Sequence, residues 1–163
     1  MSYIYRPIMG GWDRMPVGSW YSTQSQNSTA TNTEYIMTVN NTIFARDIVV
    51  VDNSKFKVSQ AGIYNLQFSA QVYNSDGGGG TAAIEIWLKK NGNTVSNTGT
   101  RYSVTPNHPY VVSSLNFFVE MAVDDYLQLA WDTNVIGINL VNNTVIPPGS
   151  EIPSLIVTMN QVG

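Results

Sequence analysis

His108 is the only imidazole in the chain, so any triad of nucleophile, histidine and acid would have to be built on it. It stands between Asn107 and Pro109 in the stretch Pro106 to Pro109, which reads as a loop, and an exposed loop histidine is the expected outcome. Asp124 and Asp125 could ligate a cation or act as an acid–base pair. Their place between two alternating apolar runs reads instead as a turn, a position that aspartate favours by bonding to nearby backbone. Glycoside hydrolysis needs two carboxylates held at a set separation. The 11 acidic residues scatter over turns and strand ends and offer no preferred pair. With no cysteine, thiolate ligands, thiol nucleophiles and disulfides are all excluded. The run Gly77 to Gly80 lacks the following helix and the Lys-Ser/Thr pair of a phosphate loop, and is expected to be a flexible connection. The sequons at Asn27, Asn40 and Asn142 are expected by chance in a chain this rich in Asn and Thr. No enzyme activity and no cofactor or metal is expected.

Aromatic residues are the more informative group. Trp12, Trp20, Tyr102 and Tyr110 could stack on sugar rings. Trp87 and Phe118 fall out of phase with the core positions of their strands. Gln67 and Gln71 are also out of phase on their own strand, so neighbouring strands would collect these four side chains on one uncharged surface. An interface centre is depleted in charge and enriched in aromatics, so they are expected to form a subunit contact.

The elements that position them follow from a period of two. Phe56 to Tyr73 reads as a short strand, a turn at Gly62 and a long strand, with Tyr64, Leu66, Phe68, Ala70 and Val72 on one face. Asn65, Gln67, Ser69 and Gln71 fill the other face without one charge. Ala83 to Lys89 alternates with Ile84, Ile86 and Leu88 inward, and Asn91-Gly92 then signals a hairpin. Tyr110 to Val123 puts Leu115, Phe117, Val119 and Met121 inward, and Tyr126 to Trp131 does the same with Leu127, Leu129 and Trp131. Ser19 to Tyr21, Tyr35 to Val39, Ile43 to Val51, Ile136 to Val141 and Ser154 to Gln161 complete the strands. Ser22 to Thr33 reads as a surface loop and Asn40-Asn41 as a turn. Leu66, Phe68, Ile86, Phe117 and Leu129 are expected to be fully buried.

Turns at roughly ten-residue spacing with no helical period predict an all-β, antiparallel jelly-roll sandwich of about ten strands. A chain of 163 residues is long enough to bury roughly 70% of the surface of its unfolded form, so one domain needs no staples. We expect that domain to span residues 18–163. Residues 1–17 mix Pro7, Gly10, Gly11 and Pro16 with Tyr3, Ile4, Tyr5, Ile8, Met9 and Trp12, and follow neither period. They are expected to be an irregular arm, with Tyr3, Tyr5 and Trp12 as the anchors that dock it on a larger assembly.

Only 12% of the residues are charged, and the net charge is −3. No Lys/Arg cluster marks a nucleic-acid or anionic-membrane partner, and the longest aliphatic run, Ile48 to Val51, is far short of a membrane span. Pro7 and a single early arginine argue against a secretory signal.

Certain strings carry a resemblance. Phe56, then Gly62-Ile63-Tyr64, then Trp87-Leu88-Lys89-Lys90-Asn91-Gly92, then Asp124-Asp125-Tyr126-Leu127-Gln128-Leu129 and a terminal strand occur in an order similar to the globular head of complement-like proteins and the tumour-necrosis-factor jelly rolls. The order and spacing of Ile-Trp-Leu-Lys-Lys-Asn-Gly and Ile-Pro-Ser-Leu-Ile-Val-Thr resemble still more closely the versions in virion proteins of tailed phages. The match covers about residues 42–162. The resemblance implies a compact homotrimer that binds through exposed loops or its outer face. The expected function is therefore that of a non-enzymatic phage structural protein, assembled in the host cytoplasm and located in the virion. It would decorate the capsid or form a fibre or spike tip, with capsid or tail components and a host cell-surface glycan as further partners. A free carbohydrate-binding, lectin-like module is the alternative.

Overall fold

The computed structural model describes residues 15–75, 82–105, 107–143 and 148–163. Fourteen strands and no helix occur among them: β1 (Val17–Ser22), β2 (Gln26–Asn27), β3 (Tyr35–Ile36), β4 (Asn41–Arg46), β5 (Ile48–Val51), β6 (Lys55–Val58), β7 (Gly62–Asn74), β8 (Ala83–Lys90), β9 (Asn93–Thr94), β10 (Thr100–Ser103), β11 (Tyr110–Met121), β12 (Tyr126–Thr133), β13 (Ile138–Leu140) and β14 (Leu155–Gln161). Ten of these have four or more residues, in line with the number that turn spacing predicts. All pairings between strands are antiparallel. The first sheet runs β2-β13-β7-β14-β1-β4, with β11 on the free edge of β7, and the second runs β10-β8-β12-β6-β5, with β3 and β9 attached.

The long strand β7 is the hub of the first sheet. Along one edge it meets β14 from Tyr64 to Ala70 and then β13 from Val72 to Asn74; along the other it meets β11 over its whole length. From Tyr64 onward its even-numbered residues are buried and its odd-numbered ones face outward, as the alternation requires. The two sheets close on one core. Trp20 of β1 and Phe56 of β6 meet across it with ring centroids 5.2 Å apart, and Tyr64, Leu66, Ile86, Leu88, Leu127 and Leu129 are buried around them. Tyr64 keeps its hydroxyl satisfied by donating to the Gln60 carbonyl at 2.8 Å, so a polar tip is buried without an orphaned group.

Four expectations need correction. Ile43 to Val51 is two strands, not one: Asp47 adopts φ 59°, a left-handed geometry that aspartate tolerates, and there the chain leaves the first sheet as β4 and enters the second as β5. Asn41 starts β4 and does not turn; Asn40 accepts the Thr23 amide on its side-chain oxygen. Phe117 is only partly buried, because β11 is an edge strand, although its ring still stacks on Phe68 with centroids 6.3 Å apart. Pro16 is buried and its carbonyl accepts the Gln161 amide, and Val17 already pairs in β1, so the jelly roll takes in the last residues of the expected arm. Tyr3, Tyr5 and Trp12 lie outside the described residues, as does the run Gly77 to Gly80.

Candidate subunit-contact face

Register places the outward side chains of the first sheet in rows. Across five strands, β4 to β11, one row reads Phe44, Ser19, Thr158, Gln67, Asn116. On one side lies Arg46, Val17, Asn160, Asn65, Phe118; on the other lies Asn41, Tyr21, Ile156, Ser69, Ser114. Arg46, at a corner, is the only charged residue in the three rows. Its guanidinium donates to the Met15 carbonyl at 2.9 Å.

Between β14, β7 and β11 the face sinks into an open groove of about 490 Å³ bordered by Gln67, Ser69, Ser114, Asn116, Ile156 and Thr158. The two serines are small, so the flanking amides and Ile156 stand above them. At the two edges stand large apolar side chains. Ile43 and Phe44 on β4 are 62% and 52% exposed, and Phe118 on β11 is 65% exposed. Exposed aromatics beside an uncharged groove have the composition found at the centres of protein interfaces.

Of the four residues expected to share this surface, Gln67 and Phe118 do, and Gln71 lies one row beyond, opposite Val112. Trp87 does not. It belongs to β8 of the second sheet, in register with Ala130 on the far side of the sandwich. Its strand phase was legible but its sheet was not, since alternation says which face of a strand is wet and nothing about which strands are neighbours. Phe44 was missed because the reading of Ile43 to Val51 as one strand gave it no face.

The residues suited to catalysis are dispersed. His108 is exposed. The Asp125 carboxylate is a structural hub, receiving Lys90 Nζ and the Asn91 side-chain amide at 2.8 and 2.7 Å and the Ala122 amide at 2.8 Å. Bonds from Lys90 and then Asn91 hold its pKa down to about 2. Asp124 adopts φ 71° in the same turn and pairs with Lys57. On the second sheet Glu85, Arg101, Asp132, Asn32 and Asn134 line a cleft of about 180 Å³. Glu85 is paired with Arg101, and burial, with Glu85 beside it, raises the Asp132 pKa. Among the described residues no group of three His, Cys, Asp or Glu side chains could hold a metal ion.

The aromatic residues proposed for sugar stacking separate sharply. Trp20 is buried in the core and Tyr102 packs against it, so neither is a platform, and Trp12 lies outside the described residues. Tyr110 is 59% exposed and stacks on Tyr73 with centroids 4.6 Å apart.

No family model and no curated protein matches the chain. Among solved structures, the crystal structure of murine APRIL at pH 5.0 superposes with a TM-score of 0.58 at 10% identity, covering 91% of this chain and all of that one. The chain thus has an all-β jelly-roll fold of the tumour-necrosis-factor type. At such low identity the likeness speaks for the fold alone.

Proposed function

We propose that the protein is a non-enzymatic structural and binding component of a phage particle, built as a homotrimer through the outward face of its first sheet. The observation that carries the trimer is the face itself, uncharged but for Arg46 at a corner, with Phe44 on one edge and Phe118 on the other. These edges present two different apolar patches, which suit a head-to-tail contact of the kind that closes into a ring. Closure at three subunits is what the jelly-roll resemblance implies.

The virion setting draws its support from the resemblance of Ile86 to Gly92 and Ile152 to Thr158 to phage strings, and from a cysteine-free composition that suits assembly in a host cytoplasm. Residues 1–14 then join the trimer to capsid or tail proteins, and the exposed parts of the jelly roll meet a host glycan. Mass photometry of the purified protein tests the trimer, and a monomer at micromolar concentration would sink it. Mass spectrometry of purified particles tests the setting: hundreds of copies mean capsid decoration, a few dozen or fewer mean a fibre or spike, and none removes the virion reading. The second reading, a free carbohydrate-binding module, is favoured by the Tyr73–Tyr110 stack alone.

A further inference from the structure

Beyond the end of β14, the first sheet continues as a narrower strip. There β7 exchanges β14 for β13, and register sets Tyr110, Tyr73, Asn139 and Asn27 in one outward row across β11, β7, β13 and β2. Val112 and Gln71 form the start of the next row. No side chain of the strip is charged. At the usual spacing of neighbouring strands the row is about 14 Å long, the footprint of a short oligosaccharide rather than a single sugar.

We propose that this strip is a binding site for a neutral oligosaccharide. Its chemistry fits the two sides of a sugar ring. Tyr110, 59% exposed and braced by its stack on Tyr73, offers its outer ring face to the sugar's C–H face, and each tyrosine has only two side-chain torsions to immobilise. Among the described residues neither phenol hydroxyl has a hydrogen-bond partner, so both are free to bond sugar hydroxyls. Asn139 is held in place at the centre: its side-chain oxygen accepts the Ser28 amide at 3.0 Å and its NH2 donates to the Gly137 carbonyl at 3.2 Å. That grip fixes the β13–β2 end of the strip and leaves the second lone pair of the Asn139 oxygen for a ligand. Asn27, exposed at the far end, contributes a free amide. A charged glycan would find no counter-ion in either row, and that selects neutral sugars.

Such binding rests on the host-contact role proposed above and not on the number of subunits. The full chain, with its tyrosine rings isotope-labelled, is titrated with cellotetraose, chitotetraose, maltotetraose, mannotetraose and the charged tetragalacturonate. At least one neutral sugar is expected to move the ring signals of both Tyr73 and Tyr110 at millimolar concentration. Tyr110→Ala should weaken that binding about tenfold, Tyr110→Phe only a few-fold because stacking survives, and Asn27→Ala a few-fold. Each variant is sedimented beside the parent so that loss of binding is not loss of fold. No ring shift with any neutral sugar, a preference for tetragalacturonate, or binding untouched by Tyr110→Ala overturns the proposal. So does protection of both rings from solvent in the free protein, which would mean that a second copy covers them. A monomer whose tyrosines still respond supports the strip while removing the trimer.

Discussion

The carboxylate of Asp125 accepts the side-chain amide of Asn91 at 2.7 Å, and the Asn91 side-chain oxygen in turn accepts the amide of Tyr126 at 2.9 Å. Two turns are joined by this exchange: the tight Asn91-Gly92 turn between β8 and β9, with φ of 51° and 80°, and the Asp124-Asp125 turn that carries the chain from the first sheet to the second. A carboxylate whose pKa falls to about 2 on folding stabilises the native state above its ordinary value of 3.8, and the stability is lost as pH drops from there toward 2. Asp125→Ala is therefore expected to cost about 1.5 to 3 kcal/mol at neutral pH, the range for hydrogen bonds to a charged group. The cost should shrink toward zero near pH 2. Denaturant unfolding at several pH values reads both, and a cost that does not change with pH would remove the charge from the account.

Burial separates two phenylalanines that alternation treats alike. Phe68 lies on the central strand β7 and is 4% exposed; Phe117 lies on the edge strand β11 and keeps one side in solvent. Phe68→Ala should cost about 3 to 5 kcal/mol, and Phe117→Ala roughly half as much, because part of its area is never removed from water. Equal losses in thermal or denaturant unfolding would mean that β11 gains a further neighbour, such as another subunit lying along its open edge.

What the sequence made legible was local. Strand phase depends on whether a residue points inward or outward, and Leu66, Ile86 and Leu129 declare this by alternation with their neighbours. The Asn91-Gly92 hairpin was legible because two successive left-handed residues need Asn and Gly. The partners of each strand were not, since the β7 pairings with β11, β13 and β14 join segments far apart in the chain. For that reason alternation alone does not show that Gln67 and Phe118 share a face of the first sheet while Trp87 lies in the second.

A charge introduced on each sheet tests that correction. Gln67→Glu puts a carboxylate at the centre of the uncharged face, beside Thr158 and Asn116 in its row. If copies meet there, an unpaired buried charge costs several kcal/mol and the assembly falls apart into monomers or aggregates. Trp87→Glu alters the opposite side of the sandwich and should leave the subunit number unchanged, although it strips cover from Ala130. Mass photometry of the two variants decides. Dissociation by Trp87→Glu with Gln67→Glu inert would move the interface to the second sheet.

The residues before the first strand supply the last test. Among the described residues Pro16 is the first whose backbone is bound into the sheet, through its carbonyl to the Gln161 amide, and Met15 is exposed, its carbonyl held by Arg46. A deletion of residues 1–14 therefore removes Tyr3, Tyr5 and Trp12 without cutting a described hydrogen bond of the jelly roll. The load of aromatics among prolines and glycines favours a groove supplied by a partner, and three arms held on one trimer would bind with avidity well above that of one. The truncated protein is expected to fold, to keep its melting temperature within a few degrees, and to remain a trimer, yet to be missing from particles assembled in its presence. Failure to fold would make the arm part of the jelly roll's own core. Normal incorporation would move the attachment to the loops, leaving the trimer intact and the arm without its proposed task.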